Sequence, residues 1–132
     1  MSSIFTKIIE RELPAHIIYE DDVCIAILDI FPKSKGQSMV IPKAEVDYAF
    51  DLDDEIYQHI FGVAKKIIKA TDKAFSPRRT CLVVEGTHVP HAHIKLFPLY
   101  EKDLQPLMEI GEEADHDELK VQLTQLQAAL ED

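Results

Sequence analysis

The sequence predicts a single α+β domain, and three observations carry that prediction. Runs rich in β-branched residues recur at 16–19, 23–28, 38–41, 80–84 and 91–97, separated by turn-forming or charged residues. One longer stretch, 51–75, instead repeats its apolar residues at three- and four-residue steps, the period of a helix. The order is helix, strands, helix, strands, helix, so the two element types come in blocks rather than in strict alternation.

Residues 3–12 read as a short first helix. Ser2 or Ser3 can cap it, Ile4, Phe5, Ile8 and Ile9 form an apolar side, and Pro14 ends it. The acidic triplet Glu20-Asp21-Asp22 separates 16–19 from 23–28, which predicts a hairpin. The turn-rich segment Pro32-Lys-Ser-Lys-Gly-Gln37 leads to a third strand stopped by Pro42. The long helix carries Ile56, Ile60, Val63, Ala64, Ile67, Ala70 and Ala74, with acids at its start and lysines towards its end. Ser76-Pro77 closes it, and 80–84 and 91–97 are expected to be antiparallel neighbours across a short loop through Gly86 and Pro90. A last amphipathic helix is expected at 115–130, with Leu119, Leu123, Leu126 and Leu130 in line, as a core face or a dimer seam.

The 132 residues suit one domain spanning the chain, with 46% hydrophobic and 29% charged residues. No 18-residue apolar run predicts a membrane span, and the first residues lack a signal-peptide layout, which predicts a cytoplasmic protein. Cys24 and Cys81 read as reduced thiols in apolar strands. The net charge of −10 argues against nucleic acid or an anionic membrane as partner. It leaves room for a small anion held by local cations such as Lys33, Lys35, Lys43, Arg78, Arg79 and Lys95. The acidic runs 51–55 and 109–118 read as solvated surface.

The chemistry concentrates in His88-Val-Pro-His91-Ala-His93-Ile-Lys95. Alternation along an extended chain puts His91, His93 and Lys95 on one side and Ala92, Ile94 and Leu96 on the other. A neutral imidazole with one nitrogen held by an acceptor is a competent nucleophile towards phosphorus. Lys95 can offset charge on phosphoryl oxygens, while Gly86, Thr87 and His88 can bring backbone amides and side chains to a phosphate. Taken alone, the same run is also compatible with a metal site or with a pair of histidines without chemistry. Asp29 before Pro32 is either a turn initiator or a carboxylate for a ribose diol.

Taken together, these stretches resemble the histidine triad (HIT) family. The resemblance rests on Ile4-Phe5-x-Lys7-Ile8-Ile9, Pro14-Ala15-x-Ile17-Ile18-Tyr19-Glu20-Asp21-Asp22, Asp29-Ile30-x-Pro32, Val40-Ile41-Pro42-Lys43 and Gly86-x-x-Val89-x-His91-x-His93, spread over about residues 3–100. It is nearest to the small purine nucleoside phosphoramidases and dinucleoside polyphosphate hydrolases. It implies a five-stranded antiparallel sheet and a homodimer paired across a continuous sheet. It further implies cleavage at the α-phosphorus of a nucleotide derivative through a nucleotidyl-histidine intermediate, with no cofactor. On this resemblance His93 is the nucleophile and His91 supports it. Asp29 holds the ribose hydroxyls, and Ile4, Phe5, Ile8, Ile27, Leu28 and Ile30 surround the base. Thr87, His88 and Val89 occupy the phosphate-contacting segment, and Gln37 and Gly86 complete the expected nucleotide-binding residues.

The chain departs from the family pattern at several positions. Lys95 replaces the third motif histidine, and a lysine ammonium, titrating ordinarily at about 10.4, is a weak proton donor. Gln37 stands where a histidine often follows the loop glycine, Thr87 replaces a common glutamine, and the segment before the motif is shortened. Ser3 and Thr6 occupy the places of two cysteines in zinc-binding relatives, so no metal is expected there. Lys95 and Gln37 motivate an alternative expectation, a catalytically weak nucleotide-binding or dimeric interaction module.

Overall fold

Five strands pair into one antiparallel sheet in the order β1-β2-β3-β5-β4. The strands are β1 (Ile17–Glu20), β2 (Cys24–Leu28), β3 (Ser38–Pro42), β4 (Arg79–Val83) and β5 (Ile94–Leu99), and the helices are α1 (Ile4–Ile9), α2 (Asp54–Phe75) and α3 (His116–Glu131). The structure, a computed structural model, describes residues 2–101 and 110–131. Residue 109, the start of the acidic run expected at 109–118, lies outside the described residues.

Strand alternation divides the core between two sides. Cys24, Ala26 and Leu28 of β2, Val40 of β3, and Ile94 and Leu96 of β5 pack towards α2 and α3, meeting Ile60, Val63, Ala64, Ile67, Leu119 and Leu126. Ile25 and Ile27 of β2 and Ile41 of β3 face the other way and pack under Phe5 and Ile8 of α1. With both faces covered, β2 is buried at all five positions, which is why it reads as a continuous apolar run rather than an alternating one. Leu119 and Leu126 join the main core, so α3 packs within its own subunit.

The helix ends have local causes. Ser3 caps α1, its Oγ accepting from Thr6 N–H at 3.0 Å. The helix stops well before Pro14, through a C-terminal turn in which Arg11 takes a left-handed φ of 66°. Glu12 N–H then donates to Lys7 O and Arg11 N–H to Ile8 O, the paired bonds of a Schellman motif. Arg11 also reaches across to Glu20 of β1. The long helix begins later than its periodicity suggests, because a 3-10 turn (Ala49–Asp51) precedes it and extended backbone at Leu52 turns that side chain into the core. Among the described residues, no helix is long and apolar enough to cross a membrane.

Candidate active site

The two motif histidines sit just before β5 rather than inside it, which corrects the expected strand 91–97. Their backbone is committed elsewhere: His91 N–H donates to Val89 O at 2.8 Å and Ala92 N–H to Val46 O at 2.7 Å. The expected sidedness holds. Ala92, Ile94 and Leu96 enter the core beneath α2, whereas Phe5 of α1 meets both His91 and His93 edge-on, at centroid distances of 5.8 and 5.0 Å.

The ring nitrogens have assigned roles. A carbonyl can only accept, so His93 Nδ1–H donates to His91 O at 2.9 Å, and His91 Nε2–H donates to Pro42 O at 2.7 Å. His93 Nε2 is thereby left with its lone pair. Burial, the largest influence, holds the His93 pKa below its ordinary 6.5, so the ring is neutral near pH 7.

His91 is fully buried, and its Nδ1 lies 2.7 Å from Ser3 Oγ. Ser3 belongs to a wider network: Glu45 Oε1 accepts from Ser3 N–H and from the Thr6 hydroxyl, both at 2.6 Å. The cap of α1 and the support of His91 are therefore one structure. Hydroxyl groups at positions 3 and 6 are already engaged here and are poor ligands for zinc, so this donor set does not fit the metal of the zinc-binding relatives.

A cavity of about 340 Å³ opens beside His93. Of the expected residues, Ile4, Phe5, Ile8, Ile27, Leu28, Asp29, Ile30, His88, Val89, His93 and Lys95 line it. Lys95 is buried on β5, opposite Met39 of β3 and Val83 of β4. His91 lies behind the wall, as the residue on which His93 rests. Gln37 is also outside it, yet its Nε2–H donates to Asp29 Oδ2 at 2.7 Å. Asp29 Oδ1 accepts from Phe31 N–H at 2.8 Å, so this residue makes its own turn and still presents a carboxylate to the cavity.

Gly86 and Thr87 do not line this cavity. Gly86, at φ 63°, borders a second one of about 230 Å³, which shares His93 and Glu85 with the first. Thr87 donates to Glu85 through its backbone N–H, at 2.9 Å, and through its hydroxyl. Glu85 is ionised: burial opposes this, but the Thr87 bonds and the nearby Lys95 and His88 keep its pKa lowered. The chain thus places a carboxylate where the two cavities meet at His93.

Sequence reasoning missed Glu85, Glu45, Pro14, Ala15, Phe31, Met39 and Ile110. Pro14-Ala15 was visible as a matching stretch, but without a role. Ile110 had no local signal at all. It reaches the cavity because Gly111 N–H donates to Phe31 O at 3.0 Å and Ala114 N–H to Ile30 O at 2.9 Å, docking the segment before α3 on the loop that carries Asp29.

An antiparallel sheet covered by helices on both faces, with paired histidines leading into its inner strand β5 beside an apolar slot, defines the class of protein. The HIT domain model matches residues 10–102, and the chain belongs to the HIT family. It is 37% identical over 105 residues to a HIT-like protein of Methanocaldococcus jannaschii, covering 76% of this chain and 81% of the relative. A HIT-like protein from Bartonella henselae, involved in cell-cycle regulation and crystallised with an unknown ligand, superposes with a TM-score of 0.87 at 29% identity, over 97% of this chain and 96% of that one. A HIT family hydrolase from Clostridium thermocellum has a TM-score of 0.67 at 28% identity, over 80% and 96%.

Proposed function

We propose that this chain is a nucleotide hydrolase or transferase that cleaves at the α-phosphorus of a nucleoside phosphoramidate or dinucleoside polyphosphate. The observation that carries this reading is the commitment of His93 Nδ1–H to the His91 carbonyl, which leaves Nε2 with its lone pair on a residue that lines an apolar slot. Membership of a family with a hydrolase among its structural neighbours supports it. In this reading the base lies between Ile4, Phe5, Ile8, Ile27, Leu28 and Ile30, and the Asp29 carboxylate accepts from the ribose hydroxyls.

His93 Nε2 attacks the α-phosphorus. The N–P bond forms as the bond to the leaving group breaks; the leaving group takes a proton from solvent, and the water of the second step returns one. The positive charge that develops on the imidazole is stabilised through Nδ1–H and the His91 carbonyl. Water then attacks the same phosphorus, the N–P bond breaks, and the nucleoside monophosphate leaves. Two moderate displacements replace one difficult one. Lys95 offsets charge on the phosphoryl oxygens, with His88 and the amide of Val89 nearby. The reading includes a homodimer paired along the exposed edge of β4, where Arg79 and Leu82 are solvent-facing.

The test compares the protein and His93→Ala with an AMP morpholidate and a diadenosine polyphosphate, followed by intact mass for a covalent AMP adduct and chromatography for released AMP. An adduct and release in the parent, both lost in His93→Ala, are expected. Equal release from both proteins would remove His93 as nucleophile. AMP binding without an adduct or release would favour the alternative, a nucleotide-binding or interaction module, which the lysine at position 95 motivates.

A further inference from the structure

At the far end of β2 from Asp29, and on the opposite face of the sheet from His93, three side chains of different chemistry converge. Asp21 sits in the β1–β2 turn, Cys24 opens β2, and His59 projects from α2. Among the described residues, one carboxylate oxygen, the Cys24 Sγ and one His59 nitrogen all lie within 4.8 Å of one another. His59 Nε2 is 2.6 Å from Asp21 Oδ2, and the Tyr19 hydroxyl donates to the same oxygen at 2.8 Å. The other oxygen, Oδ1, accepts from Val23 N–H at 2.8 Å and Cys24 N–H at 2.9 Å.

We infer that Asp21, Cys24 and His59 form a transition-metal site of zinc type, with water as the fourth ligand. The donors are one oxygen, one sulfur and one nitrogen, the set that zinc accepts with bonds of about 2.0–2.3 Å. Tetrahedral geometry at those lengths puts ligand atoms about 3.4 Å apart. The His59–Asp21 pair, at 2.6 Å, must therefore open by about 0.8 Å, and Cys24 Sγ, within 4.8 Å of both, must close by at most about 1.4 Å. His59 can shift, because its side chain is 38% exposed on the helix surface and Asp21 is 23% exposed. An ion can therefore enter from solvent while Cys24 closes the site from the core. The carboxylate is already oriented from behind by Tyr19 and two backbone amides, the support that metal-bound carboxylates generally have.

The ion would bind Cys24 as its thiolate, so it must displace the thiol proton. On binding, the S–H bond breaks, the metal–sulfur bond forms and the proton passes to solvent. Affinity therefore rises with pH. An occupied site would tie the β1–β2 turn to α2, an attachment independent of the cavity beside His93.

The test uses the full chain, stripped of metal by chelation and then titrated with Zn2+ and, separately, Co2+. One Zn2+ per chain is expected by calorimetry, with a near-ultraviolet thiolate-to-cobalt absorption band. Cys24→Ser should abolish that band, and His59→Gln should weaken binding more than about tenfold. The surface position of His59 keeps the test sound if Cys24→Ser unfolds. His93→Ala should bind as the parent does. The inference is overturned if no thiolate band appears. It is also overturned if the band survives in Cys24→Ser, which would point to Cys81, or if Zn2+ binding is lost only when the stacked pair His16 and His116, whose Nε2 and Nδ1 lie 2.8 Å apart, is replaced.

Discussion

Replacing Ser3 by alanine removes a helix cap and the support of a buried histidine in one step. The Ser3 hydroxyl accepts from Thr6 N–H at 3.0 Å and stands 2.7 Å from His91 Nδ1. Loss of an N-cap costs about 1 kcal/mol. His91 is fully buried, and its Nδ1 would keep only the 3.4 Å approach of the Thr6 hydroxyl, whose proton already goes to Glu45, a loss of about 1–3 kcal/mol. The sum is about 2–4 kcal/mol, a large share of the stability of a small domain. Ser3→Gly separates the two contributions, because glycine at an N-cap costs only a few tenths of a kcal/mol. It should be more stable than Ser3→Ala by about 1 kcal/mol while still losing the His91 contact. The assay is urea unfolding followed by circular dichroism. With a slope of about 1–3 kcal/mol per molar, the Ser3→Ala midpoint should fall by about 1 M or more. A midpoint unchanged in Ser3→Ala would refute the link between the α1 cap and His91. Equal losses in the two variants would remove the capping contribution.

Other outcomes follow from the same geometry. At Gly111 an added Cβ would lie 2.1 Å from Pro32 O and 2.7 Å from Pro32 C; these backbone atoms cannot yield, so Gly111→Ala should lose about 1–3 kcal/mol and raise KM more than it lowers kcat, checked by calorimetry and kinetics. The folded pKa values of His93 and His16 lie below 6.5, in both cases chiefly through burial. Because the unfolded chain takes up those protons first, the stability they contribute is complete above 6.5 and is lost as pH falls from there through the lowered folded values. Urea midpoints should therefore drop between about pH 7 and about pH 5.5, and an undiminished drop in His16→Gln would remove His16 from the account. Lys95→His withdraws a buried cation that faces Glu85 and, on the proposed reading, the phosphoryl group; kcat should fall by about tenfold or more, since a charge-assisted contact is worth about 1.5–3 kcal/mol, and a rise in kcat would show the lysine to be a degenerate histidine.

Much of the architecture was legible because its signals are local. β-Branched runs, the acidic turn at 20–22 and the helix period of 56–74 each report on neighbours within a few residues. The sidedness of His91, His93 and Lys95 also survived, although the first two lie outside the strand, because extended backbone alternates whether or not it is paired. What escaped depends on distant contacts. Ser3 and Glu45 meet across 42 positions, and no periodicity encodes that meeting. Glu85 looked like one surface acid among many until the Thr87 bonds turned it towards His93. Gln37 was assigned to the nucleotide site, but the structure uses it one layer back, holding Asp29. The start of α2 was misplaced because Leu52 is drawn inward by the core, an effect of tertiary packing on backbone that a helix period cannot register.

The docking of Gly111 on the loop of Phe31 and Pro32 has a consequence for how substrates would diverge among relatives. Ile110 walls the slot from a stretch beyond the matched residues 10–102. On the proposed reading, one end of the ligand meets the signature histidines and the other meets a part of the chain that carries no signature. Two relatives with the same motif can therefore work by the same steps on different nucleosides, and a substrate inferred from the motif by itself would describe the reaction while misnaming what is cleaved.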